Sequence, residues 1–231
     1  MERIVEPELL DHLPPDDPRA ICSRRDLRRV NALMRSHAIM DQALRAGTNG
    51  RIPKHIVDLG AGDGHFLLRV AQRLARSWKG VRASLLDRVG IVPAATLKEF
   101  EKLGWQAEST ITDVFAWARE TPANAADVLV TNLFLHHFAD PQLAGLFRAV
   151  SKSVNLFVAV EPRRAALPLF CSRSLWVVGC NAVTRHDAVA SVRAGFIGCE
   201  LSALWPAGDE WILTEYPMSA FSQVFVAKRR C

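Results

Sequence analysis

Residues 55–64 read HIVDLGAGDG, an apolar run closed by Asp58 and followed by Gly60, Gly62 and Gly64 at every second position. Alternating glycines let the backbone turn sharply and come close to a ligand, at a cost in chain entropy that a plain turn does not require. A dinucleotide fold spaces its glycines G-x-G-x-x-G, so that a pyrophosphate can sit on the helix N-terminus. Here the third glycine comes one place early, and His65 stands where that pattern wants a glycine. Asp58 points the same way, because a carboxylate at the strand end repels a pyrophosphate and suits a ligand carrying an ammonium group. The spacing therefore favours a phosphate-free, zwitterionic nucleoside. Three further stretches could do chemistry. Asp87 follows Gly64 by twenty-three residues, Asp113 closes TITD, and TNLFLHHFAD (131–140) sets His136 beside His137.

Those residues need strand ends to carry them, and the sequence supplies strands alternating with helices. HIVDL (55–59), VRASLLD (81–87), WQAESTITD (105–113), ADVLVTN (126–132) and VNLFVAVE (154–161) read as strands. FLLRVAQRLARSW (66–78), AATLKEFEKLG (94–104), PQLAGLFRAV (141–150) and RHDAVASVRAG (185–195) read as the intervening helices, with Asp140 as N-cap and Pro141 in the first turn of the third. WILTEY (211–216) and SQVFVAK (222–228) form a closing pair. This alternation predicts an α/β fold with a doubly wound, mostly parallel sheet of seven strands, which binds ligands outside the carboxyl ends of its strands. Residues 1–50 form an N-terminal helical cap, with Leu27, Val30, Leu33, Met34 and Leu44 on one face and a stop at Gly47. The remainder, 51–231, forms the main domain. Residues 163–184 are too long for a simple connection and predict a helical lid insertion, with Leu167, Phe170, Trp176 and Val177 either roofing an apolar pocket or lying in the core.

Composition narrows the class. The 231 residues are 49% hydrophobic, enough for one well-buried core and a small cap. No window long enough to span a membrane is free of charge, and the acidic, proline-rich start has no signal pattern. Five scattered cysteines without a CxxC pair fit reduced thiols in a cytoplasm. The net charge of +5 comes largely from arginines on apparent helix faces, a solvated surface and not an aromatic-interleaved patch for nucleic acid.

VDLGAGDG, Asp87, TITDVF and TNLFLHHFAD, in that order at strand ends, resemble the class I S-adenosylmethionine-dependent methyltransferases over residues 52–228. The resemblance implies a Rossmann-like sheet with S-adenosyl-L-methionine held by Asp58, Gly60, Ala61, Gly62, Gly64, Asp87, Arg88, Asp113, Val114, Asn132 and Leu133. Asp87 takes the place of the acid that grips the ribose hydroxyls, and Asp113 that of the residue contacting the adenine amino group. Thr131-Asn132-Leu133-Phe134 lacks the N/D-P-P-Y/F signature of amine methylation. Glu161-Pro162 lacks the ligand pattern of the Mg²⁺-dependent type, so no metal is expected. LFLHHF is similar to the segment that ends H-D-W in phenolic O-methyltransferases, which puts His136 in the place of the general base and His137 where the aspartate stands. Glu161 is a reserve. The implied activity is O-methylation of a small phenolic or polyketide-like acceptor. The alternatives are C-methylation of a quinone-type ring and RNA methylation, which no appended RNA-binding module supports; a non-catalytic protein retaining the fold is a further one. A homodimer is left open.

Overall fold

The computed structural model describes residues 1–230. Its order is α1 (Pro18–Leu33), α2 (Ser36–Thr48), β1 (His55–Leu59), α3 (His65–Leu74), β2 (Arg82–Asp87), α4 (Ala94–Lys102), β3 (Gln106–Ile111), α5 (Val114–Glu120), β4 (Ala126–Asn132), α6 (Asp140–Ser153), β5 (Val154–Pro162), α7 (Ala166–Arg173), α8 (Ala182–Ala194), α9 (Glu200–Leu204), β6 (Trp211–Pro217) and β7 (Ser222–Arg229). The seven strands form one sheet in the order β3-β2-β1-β4-β5-β7-β6. Neighbours from β3 to β5 pair in parallel, and β7 runs antiparallel to β5 and β6. Order reverses beside β1, with β2 on one side and β4 on the other, which opens a crevice at their carboxyl ends.

Both faces of the sheet are covered, so its central strands are continuous apolar runs. Ile56, Val128, Val130, Val158 and Val160 pack on one side against Met40, Leu44, Leu67 and Leu74 of α2 and α3. Val57, Leu59, Leu129, Phe157 and Phe225 pack on the other against Leu143, Phe147, Leu201 and Trp205. Gly47, expected as a helix stop, lies inside α2 and faces Leu156, where an added Cβ would stand 2.8 Å from the Leu156 methyls. Its small size lets α2 lie close on β5.

Several local expectations are corrected. The single helical face expected from Leu27 to Leu44 is split over two helices, broken at Arg35, which has a left-handed backbone with φ +58°. The buried positions of α1 are Ala20, Ser23, Asp26 and Asn31, while Leu33 is 69% exposed. A polar face is buried because α1 packs on α8 and the crevice, where Asp26 accepts from the Asn181 amide at 2.9 Å. Asp140 is the first residue of α6 and not its cap. The N-cap is Ala139, whose N–H donates to Gln142 Oε1 at 3.0 Å. Leu167, Phe170, Trp176 and Val177 are 55–69% exposed, so they are neither core nor roof. Among the described residues no helix is long and apolar enough to cross a membrane.

The turn after β1 is fixed by Gly60 and Ala61, whose N–H groups both donate to Leu86 O at 2.9 Å. Gly60 and Gly62 take φ of +71° and +56°. A Cβ on Gly60 would run into the Phe134 ring, whereas one on Gly62 would meet open space. Gly62→Ala should therefore cost only the left-handed strain of about 1–2 kcal/mol. Gly60→Ala should cost a further ~1–3 kcal/mol of overpacking. Urea denaturation of both variants checks this, and equal losses would mean that Phe134 does not press on Gly60.

Candidate active site

A cavity of about 510 Å³ opens at the carboxyl ends of β1, β2 and β4. It brings together Gly60, Ala61, Gly62, Asp87, Arg88, Asp113, Val114, Asn132, Leu133, His136 and His137. Gly64, Asp58 and Glu161 stand behind its wall. Gly64 caps α3 with φ +73°, a conformation that suits glycine.

Asp87 ties the turn to the second strand. Its Oδ2 accepts from the Gly62 N–H at 2.8 Å and its Oδ1 from the Val89 N–H at 2.9 Å. A carboxylate oxygen has two lone-pair sites, so each oxygen keeps one to offer a ligand hydroxyl. Asp113 caps α5, its Oδ1 accepting from Phe115 N at 2.9 Å and Ala116 N at 3.1 Å. Capping uses one oxygen, and the other remains for the cavity. Asp58 is 2% exposed and its Oδ2 has no hydrogen-bond partner. Burial, followed by the charge of Asp87, raises its pKa well above the usual carboxylate range. A buried orphan acceptor beneath a ligand-binding turn fits a ligand that brings a cation. Asn132 donates through Nδ2 to Asn31 Oδ1 at 3.1 Å, and its own Oδ1 is buried without a partner. Leu133 turns the chain at φ +52°, strain of a kind that gathers at functional sites.

On the other side of the cavity lies His136, 2% exposed. Its Nδ1 meets Glu161 Oε2 at 2.9 Å and its Nε2 meets Glu8 Oε1 at 3.3 Å. Glu161 Oε1 also accepts from the Phe134 and Leu135 N–H groups at 3.1 and 2.9 Å, which fixes the whole turn. Burial alone would lower the pKa of His136, but the hydrogen bonds and charges of Glu161 and Glu8 outweigh it and raise it to about 9. In this arrangement the ring is an imidazolium at neutral pH, with both nitrogens protonated. His137 differs. Burial and the neighbouring His136 charge lower its pKa, and it lies 3.5 Å from Asp11. The ligating atoms of Glu8, His136 and His137 come within 4.8 Å of one another. The two rings stack at 4.3 Å and 30°.

The sequence did not point to Glu8, Asn31, His37 or Ser191 as parts of this site. Glu8 lies 128 positions from His136 in a segment without periodicity. His37 stacks on Phe66 at 5.2 Å, and burial, then nearby positive charge, lowers its pKa to about 4. None of residues 163–184 lines the cavity. The roof on its acceptor side comes from Glu8, Leu10, Asp11, Leu13 and Pro15, with Arg24, Leu27 and Arg28 of α1.

No protein-family model matches the chain, and no curated protein does. Solved structures do. The plantazolicin methyltransferase BpumL, solved in complex with SAH, superposes at a TM-score of 0.62 with 13% identity, covering 93% of this chain and 92% of that one. A putative O-methyltransferase from Nostoc punctiforme gives 0.59 at 15% identity over 99% of this chain and 64% of that one. The S-adenosylmethionine-dependent methyltransferase SibL gives 0.60 at 14% identity, with the same coverage. The chain spans about two thirds of these last two. It has the Rossmann-like fold of the S-adenosylmethionine-dependent methyltransferases.

Proposed function

We propose that the chain is an S-adenosylmethionine-dependent methyltransferase acting on an oxygen of a small, largely apolar acceptor. One observation carries the reading: a single cavity unites the glycine turn, Asp87, Asp113 and Asn132 on one side with His136, held from behind the wall by Glu161, on the other. The fold shared with BpumL, SibL and the Nostoc protein supports it. Asp87 and Asp113 would hold the ribose hydroxyls and the adenine amino group, and the unpartnered Asp58 carboxylate would answer the ligand's ammonium charge. When bound, S-adenosylmethionine supplies a methyl group on a sulfonium, a cation that an oxygen anion neutralises on transfer. Leu10, Leu13, Phe134 and Phe138 give the acceptor side an apolar lining. Glu8 and Asp11 balance Arg24 and Arg28 over the same side, so the roof has no excess of positive charge for a phosphate backbone, which favours a small molecule over RNA.

The base role expected for His136 changes in this reading. Four charged or titratable groups face it: Glu161 and Glu8 on its two nitrogens, His137 on its ring face, and Arg3, whose guanidinium donates to its carbonyl at 3.4 Å. An imidazolium between two carboxylates cannot take a proton, but it can hold an oxygen by a charge-assisted hydrogen bond. Its work is then positioning and charge balance at the acceptor oxygen.

Two outcomes are expected. Asp87→Ala should weaken binding of S-adenosylhomocysteine by about 2 kcal/mol, roughly thirtyfold, in calorimetric titration. Unaltered affinity with an unchanged circular dichroism spectrum would confine Asp87 to holding the turn. On whichever oxygen acceptor proves active, turnover should fall as pH rises through about 9, because the required imidazolium then loses its proton. A general base gives the opposite sign, with turnover rising as the ring deprotonates. His136→Ala should lower turnover by about a hundredfold, a typical worth of a positioned catalytic group, and abolish that falling limb while leaving cofactor affinity alone.

A further inference from the structure

His136 has one permanent carboxylate and one loose one. Glu161 is fully buried and bound by two backbone amides besides the ring. Glu8 belongs to residues 1–17, whose only helical element is the 3-10 turn Leu10–His12, and none of these residues is buried. Polar contacts hold this strap. The Leu9 and Leu10 N–H groups donate to Asp187 at 2.8 and 3.0 Å, Arg3 donates to the carbonyls of Phe138 and Ala194 at 2.8 Å each, and Arg164 donates to the Met1 carbonyl at 2.9 Å. Ile4, Val5 and Leu9 are 37–45% exposed. Lifting the strap gives up these hydrogen bonds, the Arg3–Asp140 ion pair and the contact of Arg3 with the Phe196 ring, most of which water can replace, and uncovers the half-buried Leu10 and Leu13.

The Glu8 carboxylate itself sits in a made-to-measure place. Its Oε1 receives His136 Nε2 and the Ser191 hydroxyl together, and the side chain is 12% exposed at the cavity wall. If Glu8 withdrew with nothing in its place, a buried, charged N–H would be left without a partner, which costs more than the hydrogen bond is worth. Another anionic oxygen would restore the same pairing and leave the charge of the buried trio unchanged. A neutral aliphatic alcohol would fill the place but stay un-ionised, since the ring beside it already carries its proton.

We propose that Glu8 keeps the place of the acceptor's reacting oxygen, and that the acceptor is an organic acid, bound as its oxyanion between His136 Nε2 and Ser191 Oγ once the strap lifts. This rests on the methyltransferase reading for the reaction, though not for the binding. The chemistry that would fit is an acidic phenol or enol, or a carboxylic acid, with its body against Phe134 and Phe138. The acceptor's proton goes to solvent before it binds.

The test uses the full chain and 4-nitrophenol, whose anion absorbs in the visible while the neutral form does not. At a pH just below the free phenol's midpoint, binding should raise the visible band. Glu8→Ala should strengthen that binding at least tenfold, because an internal competitor is gone, and Glu8→Gln should give a smaller gain. His136→Gln should abolish the band, while S-adenosylhomocysteine binds all three variants as it binds the unaltered chain. Benzoate displacing the nitrophenolate would extend the site to carboxylic acids; failure to displace it would restrict the acceptor to phenols and enols. Binding without the visible band, no gain in Glu8→Ala, or no binding in that variant would each overturn the proposal. Loss of S-adenosylhomocysteine binding by the unaltered chain would instead overturn the methyltransferase reading, with the oxyanion test standing by itself.

Discussion

At the end of β5, Glu161 accepts three hydrogen bonds in a place that water does not reach, two from the turn after β4 and one from His136. A buried carboxylate is tolerable only when its oxygens are answered, and here the answers come from one short stretch. The consequence is geometric. Phe134, Leu135 and His136 cannot move separately, so the turn that closes the cavity is locked to the central strands of the sheet. It is also electrostatic, since Glu161 together with Glu8 holds the proton on His136, while burial and the His136 charge lower the pKa of His137 beside it. The position of the turn follows from that one carboxylate, and the protonation of His136 from it and Glu8 together.

The cofactor side relies on a second device of the same kind. Asp87 holds the Gly62 amide, so the glycine turn is shaped by the end of the neighbouring strand as well as by its own backbone. Asp113 caps α5 through one oxygen and borders the cavity, which leaves its other oxygen free. Asp58 is the member left unanswered: burial raises its pKa, and a cation nearby would favour its ionised form. Two satisfied acids and one unsatisfied one thus surround the glycine turn.

The sheet was legible because its strands are buried on both faces, and continuous apolar runs such as ADVLVTN and VNLFVAV announce that directly. The glycine spacing and the acids at strand ends were legible for the same reason, since the strand ends were. Sequence reading failed where burial is polar. The buried face of α1 carries Ser23, Asp26 and Asn31, so apolar periodicity chose the wrong stripe. Trp176 and Phe170 misled in the opposite direction, being apolar yet 64% and 69% exposed. Glu8 offered no signal at all: its partners, His136 and Ser191, lie 128 and 183 positions away in a loop and a helix, and nothing local marks an acidic residue as a neighbour of either.

Phe134 joins the two sides into one site. Leu133 takes a left-handed conformation, held by its N–H on the Val160 carbonyl at 3.0 Å, and this throws Phe134 across the turn after β1. The ring then lies where a side chain at residue 60 would be, which makes glycine there a requirement of packing as well as of backbone angle. On its far side it packs edge-on against Phe138 at 5.1 Å and lies near His137. A strained residue, a glycine and an aromatic wall are thus one device. The strain at Leu133 is sustained because Glu161 holds the next two amides, so the carboxylate that governs the acceptor side also fixes the wall of the cofactor side.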